Sequence, residues 1–291
     1  MPEAALPLVN IGVPVYNEGQ FLSASLESML AQDYPHLEII LSDNGSTDGT
    51  GEICRRFAQQ DSRIKYHRFE QNQGVAENFR YVQSQARGKY FMWASGHDLW
   101  SSNLVSECVA LLEAHPDAVI AFGASQWIDA AGQPYPKFSG WTDTRGMEVV
   151  ARFFTVFWGN MHPVLGLMRV DALSRARELQ SMAGADLILL LEMVLQGHFV
   201  HATAAHWSRR EFRSTESHDQ RIKRYQSSEF GLTKSFADRF FPLARLPVEL
   251  IRVVLDAEIP WSRKYFILLI LLPSIPVKYF VSRAGASTSA T

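Results

Sequence analysis

Residues 8–18, LVNIGVPVYNE, decide how the rest of the chain is read. Leu8 to Val15 form an apolar run closed by Pro14, short enough for a buried strand. From Glu18 onward the pattern changes. Phe21, Leu22, Leu26, Met29 and Leu30 recur at helical spacing within residues 18–34. The same strand-then-helix unit repeats outward. Strands are expected at residues 37–44, 63–69, 89–95 and 118–129, and helices at 47–60, 75–86 and 104–115. Regular alternation of this kind calls for an α/β fold, a mostly parallel sheet flanked by helices and joined by right-handed crossovers. Such sheets bind ligands at the carboxyl ends of their strands. Residues 14–18, 43–48, 72–74 and 95–98 are therefore the ones to inspect.

The 291-residue chain carries a net charge of −2, with 47% hydrophobic and 20% charged residues. That is an ordinary globular composition. It lacks the basic excess of a nucleic-acid binder, so no nucleic-acid partner is expected. A bound diphosphate would have to be neutralised locally, by a metal or by a few placed side chains. Cys54 and Cys108 each lie in a helix-like stretch and neither sits in a C-x-x-C pair, so neither a disulfide framework nor a zinc ribbon is expected. The N-terminus has no basic region followed by an apolar run, which leads to the expectation of a cytoplasmic protein.

After Asp129 the texture changes. Residues 130–146 read as a Gly- and Pro-rich loop, 147–158 as an aromatic helix, 185–197 as an apolar helix, 198–207 as a strand and 208–224 as a polar, basic loop. The division expected is a domain over residues 1–215, with halves 1–130 and 131–215, followed by a helical C-terminal extension over 216–291. Residues 265–277, YFILLILLPSIPV, are too short to span a bilayer. Flanked by Arg263, Lys264 and Lys278, they suit either peripheral membrane contact through residues 263–280 or a buried contact. Residues 282–291 read as a disordered tail.

Each strand end offers candidates. In residues 14–18, Tyr16 is placed to pack near a base and Glu18 to accept from a ribose, while Asn17 suits a helix cap. In LSDNGSTDGT, residues 41–50, Ser46, Thr47 and Asp48 are natural caps. Asp43 could accept the imide N–H of uracil or thymine. In QNQGVAENFR, residues 71–80, Asn78 or Arg80 would approach the phosphates, or Arg80 is simply a solvated helix residue. In WASGHDLW, residues 93–100, Asp98 is placed to hold Mn²⁺ or Mg²⁺, or to cap a helix starting near Ser101. His97 is a second metal ligand or a phosphate donor.

Together these four stretches resemble the family 2 glycosyltransferases of the GT-A fold. The likeness covers residues 8 to 130 strongly and thins out towards 215. It implies a nucleotide-sugar-binding site that includes Pro14, Tyr16, Glu18, Asp43, Asn44, Asn78, Arg80, His97 and Asp98, with a divalent cation. The family usually carries two acidic residues where this chain has Gly96-His97-Asp98, and that puts metal dependence in question. The likeness also implies an inverting transfer to a saccharide or lipid-linked hydroxyl, as in surface polysaccharide assembly. Its base would be a carboxylate opening a helix in the second half. Asp186 in MAGADLILLLEMVLQG matches, with Glu192 as runner-up, although a first-turn acid also suits the helix dipole. Arg209, Arg210 and Arg213 could contact donor or acceptor phosphate, or be solvated charge. Of the histidines, His206 or His218 could complete the cation's coordination, whereas a zinc site of His198, His201 and His206 is not expected.

Rival classes lack their signatures. No arginine or lysine follows the first strand, as a nucleotidyltransferase phosphate loop would need, and no G-x-G-x-x-G occurs. A non-catalytic protein retaining the fold stays open as the alternative, supported by the altered Gly96-His97-Asp98 motif.

Overall fold

A computed structural model describes residues 6–134, 136, 143–159, 162–211 and 245–288. The first half follows the expected alternation: β1 (Val9–Val15), α1 (Leu22–Leu30), β2 (Leu37–Asp43), α2 (Thr50–Gln60), β3 (Ile64–Arg68), α3 (Val75–Ser84), β4 (Tyr90–Trp93), β5 (Leu99–Trp100), α4 (Leu104–Ala114) and β6 (Ala118–Ile128). Then come α5 (Val149–Trp158), a 3₁₀ turn (His162–Leu165), β7 (Leu167–Arg169), α6 (Val170–Arg175), α7 (Ala185–Gln196), β8 (His198–Arg210), α8 (Leu246–Asp256) and α9 (Trp261–Thr288).

Among the described residues the strands form one eight-stranded sheet in the order β3-β2-β1-β4-β7-β6-β8-β5. β3, β2, β1 and β4 run parallel. β7 enters antiparallel between β4 and β6. β8 then pairs parallel to β6, and β5 closes the edge antiparallel to β8. β5 and β7 are too short to give a periodic signal of their own, and only their neighbours make them strands. Pro14 does not end β1, as the sequence suggests. The β1–β4 ladder already stops at Gly12, so the missing N–H of Pro14 falls beyond it.

Alternation along each strand feeds a core on either face of the sheet. Tyr90, Met92 and Ala94 join Leu22, Leu26, Ile39 and Leu41 on one side. Phe91 and Trp93 join Val82, Phe153, Phe157 and the α7 run Leu187–Leu191 on the other. α7 is apolar nearly all round because it is covered nearly all round.

The C-terminal helices belong to that second core. Leu250, Val253, Val254, Ile267 and Leu271 are buried in it. Three cations flank the apolar segment, and the structure draws the two lysines inward and pairs the arginine at the surface. Arg263 pairs with Glu148 at 3.2 Å, the buried Lys264 donates to the Leu255 carbonyl, and Lys278 donates to the Phe157 carbonyl. They brace α9 rather than reach for headgroups. No described helix is long and apolar enough to cross a membrane. The expected disordered tail is also corrected, since α9 continues to Thr288.

Candidate active site

The loops at the carboxyl ends of β1 and β2 are stitched into one rim. Asn17 sits at φ 53°, a left-handed conformation that asparagine tolerates better than most residues. Its N–H donates to Ser46 Oγ at 2.9 Å, and its Oδ1 accepts from the Thr47 N–H at 2.9 Å. The Glu18 N–H donates to Thr50 Oγ1, and the Gly19 N–H to Asp48 Oδ2. Asp48 also accepts the Thr50 N–H at 3.1 Å, although the N-cap of α2 is Gly49, which makes no side-chain capping bond, and not Ser46, Thr47 or Asp48. Tyr16 and Pro14 stay half-buried on this rim.

Asp43 is wholly buried. Its Oδ1 accepts the Ser46 N–H at 2.8 Å, and its Oδ2 lies 3.4 Å from the Tyr66 hydroxyl and 3.6 Å from Arg68 Nε. Gly45, at φ +75° and pressed against the Gln71 backbone, lets the chain turn here.

Three residues expected at the nucleotide are engaged elsewhere. The Asn44 amide donates to Asn72 Oδ1 and the Gly74 carbonyl, and its Oδ1 accepts the Gln73 N–H, so it holds the loop before α3. Asn78 Nδ2 donates to the Val15 and Ser42 carbonyls, each at 3.2 Å, and ties β1 to β2. Arg80 pairs with Glu77 along α3 at 2.5 Å, which is the solvated reading of that residue. Side chains leaving the end of a strand can serve a ligand or the loop, and here loop closure claims them.

Asp98 is held more tightly than its place in the sequence suggests. It is 2% exposed and both its oxygens are taken. Oδ2 accepts the Ser95 hydroxyl at 2.5 Å and the Trp207 indole N–H at 2.8 Å, and Oδ1 accepts the Arg210 N–H at 2.8 Å. It clamps the β4–β5 turn to β8 and caps no helix, since α4 begins only at Leu104. Among the described residues no three His, Cys, Asp or Glu side chains converge as a metal site. The donor set does not fit the expected cation at Asp98. His97 stands beside it, with Nδ1 3.0 Å from Glu18 Oε1 and Nε2 3.8 Å from Asp98 Oδ1.

The polar, basic stretch expected to be a loop from residue 208 begins instead as strand, because β8 runs to Arg210. Alternation then sends Arg209 and Arg210 to opposite faces. Arg210 is buried as a staple, donating from Nε to the His97 carbonyl and from Nη1 to the Asp129 and Ala130 carbonyls. These bonds give Arg210 a structural role at the end of β8. The Arg209 guanidinium lies 4.6 Å from the Trp127 ring centroid and 3.1 Å from His162 Nε2. Arg213 and His218 fall outside the described residues. His198 contacts the Thr144 carbonyl, His201 stacks on Phe122, and neither is drawn into a site with His206.

Asp186 lies in the first turn of α7 behind Gly184, whose φ of +86° only glycine adopts readily. Its side chain is open to solvent, whereas Leu187–Leu191 behind it are buried. Surrounding protein nevertheless desolvates the carboxylate and raises its pKa, and the charge of Arg209 partly offsets this. Arg209 acts on Asp186 through its charge, while the neighbouring Arg210 donates its N–H to Asp98. Glu192 is not such a group, because Arg177 grips it from one side and binds Glu249 at 2.8 Å from the other.

Sequence reading missed the Glu18–His97 contact and the Trp127, His162 and Trp207 setting of Arg209. These join residues far apart in the chain, and nothing in their local patterns signals it.

A family model described as Glycosyl transferase family 2 matches residues 10–173, more than half of the chain. The glycosyltransferase GlyG of Streptococcus pneumoniae is 38% identical over 98 residues, 34% of this chain and 33% of that protein. TuaG of Bacillus subtilis, a glycosyltransferase named for teichuronic acid biosynthesis, is 29% identical over 132 residues, 45% of this chain and 52% of that protein. The chain thus spans a third to a half of the length of these relatives. Among solved structures, S. aureus TarS 1–349 in complex with UDP superposes with a TM-score of 0.65 at 15% identity, over 91% of this chain and 70% of that one. The mannosyltransferase PcManGT from Pyrobaculum calidifontis, in complex with GDP-Man and Mn²⁺, gives 0.58 at 15%, over 99% and 86%. At such identity these two likenesses speak for the fold alone.

Proposed function

Since the chain belongs to glycosyl transferase family 2 and has the GT-A fold, we propose that it transfers a sugar, with inversion, from a nucleoside-diphospho-sugar to a hydroxyl of a saccharide or lipid-linked acceptor in surface polysaccharide assembly. The acceptor oxygen forms the new bond to the anomeric carbon as the bond to the diphosphate breaks. Asp186 takes the hydroxyl proton, and the nucleoside diphosphate leaves. One observation carries the reading. Asp186 is an accessible carboxylate in the first turn of α7, anchored by the buried Leu187–Leu191 run behind it and with the charge of Arg209 acting on it.

Tyr16, Pro14 and Asp43 form the base side of the site, and Glu18 the ribose side. Asp43 suits a uracil or thymine imide, provided that Arg68, 3.6 Å away, swings off its Oδ2. Residues 1–215 act as the transferase unit and 216–291 as its helical extension. The exposed apolar face of α9 supports peripheral contact with the cytoplasmic surface of a membrane, where lipid-linked acceptors reside. A non-catalytic descendant of the fold is the second reading, favoured by the commitment of Asp98 to structure. Turnover decides between them. Asp186→Asn should lower transfer by about 10²- to 10⁴-fold and leave nucleotide affinity unchanged. Transfer at the wild-type rate would remove Asp186 from the mechanism.

A further inference from the structure

The direction of Asp186 is set by the backbone that leads into α7, and a helix from the far end of the chain holds that backbone. Gly184 turns the chain at φ +86°, and its carbonyl accepts the Ile188 N–H at 3.1 Å, the opening bond of the helix. A shift of Gly184 therefore moves the first turn and the carboxylate two residues on. Leu246, the first residue of α8, is seated against Gly184: a Cβ there would stand 3.0 Å from Leu246 Cδ1. Leu246 shares a helix face with the buried Leu250 and Val253, at i, i+4 and i+7, and both of these lie in one core with Leu187–Leu191 of α7.

A second hold lies at the start of the same stretch. Arg177, between α6 and α7, donates its N–H to Glu192 Oε2 at 3.0 Å and grips that carboxylate again through Nε. Its Nη1 donates at 2.8 Å to Glu249, which is buried and also accepts from Arg252 at 2.9 Å. Glu249 follows Leu246 by three residues, so one turn of α8 supplies both holds. A guanidinium bound to two carboxylates is fixed in direction as well as in place. Residues 177–184 are thus pinned by α8 at both ends.

We propose that α8 is a positioning element of the transferase: Leu246, through Gly184, and Glu249, through Arg177, set the start of α7 and with it the reach of Asp186 towards the acceptor hydroxyl. The proposal rests on Asp186 being the base. It makes α8 part of the catalytic scaffold, although the family match ends at residue 173. A base displaced by about 1 Å can cost 10²-fold in rate.

Two readouts on the full chain test this. The first is amide exchange at Ile188, Leu189 and Leu190. Leu246→Ala and Glu249→Gln should each speed it about tenfold, with exchange in β1 and β2 within about twofold of wild type. The second is hydrolysis of UDP-glucose, UDP-GlcNAc and dTDP-glucose, in which water stands in for the acceptor. For whichever is turned over, both variants should lower kcat by about ten- to a hundredfold and leave KM within about twofold. Leu246→Met, which keeps the volume, should behave as wild type in both readouts. Unchanged exchange at Ile188–Leu190, or faster exchange there with kcat intact, would overturn the proposal. So would a Leu246→Ala effect on kcat as large in an Asp186→Asn background as in wild type, because it would then bypass the carboxylate. Should Leu246→Ala fail to fold, Glu249→Gln carries every arm. Wild-type kcat in Asp186→Asn alone removes the base reading instead. No turnover of any of the three counts against the transferase reading, and the exchange readout still decides whether α8 sets the start of α7.

Discussion

At the scale of a single residue, Asp186 is the proposed base, and its environment makes two measurements informative. Burial by the surrounding protein raises its pKa, and Arg209, the charge that counters this, pulls it back. A base works only when ionised, so the rate should fall as pH drops through this raised value, at a higher pH than an ordinary aspartate would give. Arg209→Gln removes the countering charge. The acid limb of the pH–rate profile should then move to still higher pH, and an unmoved limb would separate Arg209 from the base. The sign for stability is the reverse of the usual carboxylate case. Because folding disfavours ionised Asp186, the fold carries a penalty above the folded-state pKa that vanishes below the unfolded-state value. Asp186→Asn should therefore raise Tm at neutral pH and have no such effect in acid. That is the signature of a group retained for function rather than for the fold.

At the scale of elements, the β4–β5 turn and the end of β8 depend on one carboxylate. Asp98→Ala leaves the Ser95 hydroxyl, the Trp207 indole N–H and the Arg210 N–H without their shared acceptor. A buried donor left without an acceptor costs about 1–3 kcal/mol, so the loss should be at least that much. Urea unfolding should show a lower midpoint by that measure, with an unchanged slope. A shift under about 1 kcal/mol would mean that the clamp is dispensable. The position of Asp98 at a strand end was legible in WASGHDLW, but its partners were not. Trp207 and Arg210 lie more than a hundred residues on, and only the parallel pairing of β8 with β6 and the antiparallel closure of β5 bring them back. Asn44 and Asn78 teach the same lesson, because a polar side chain at a strand end advertises a site whether a ligand or a neighbouring loop takes it.

On the scale of the whole molecule, α8 and α9 close the second core and leave one apolar stripe outside. Trp261, Tyr265, Phe266, Leu269 and Leu272 are 73%, 64%, 52%, 55% and 53% exposed, while Ile267 and Leu271 between them are fully buried. Lys264 and Lys278 are drawn inward and Arg263 is paired with Glu148, so attachment through this face should rest mainly on apolar and aromatic insertion. Wild-type protein should sediment with phosphatidylglycerol–phosphatidylethanolamine vesicles even at high salt. The Phe266→Glu, Leu269→Glu double variant should stay in solution with unchanged nucleotide affinity. Wild type that stays in the supernatant, or that forms a discrete dimer through this face, would assign the stripe to a second copy instead.

What the sequence determined by itself was periodic or local. Strands and helices alternate through residue 128, Gly45 and Gly184 make turns only glycine enters easily, and Asp186 opens an apolar helix. These follow from the steric and solvation preferences of neighbouring residues, which neighbours in sequence are enough to express. Tertiary structure alone decided that β7 intrudes antiparallel into a parallel sheet, that Arg209 lies against Trp127 and His162 while Arg210 staples the His97, Asp129 and Ala130 carbonyls, and that Asp98 is a clamp. Each of these depends on which distant donors reach a buried oxygen first. That competition is settled by packing, because a carboxylate away from water must take whatever hydrogen-bond partners the fold delivers.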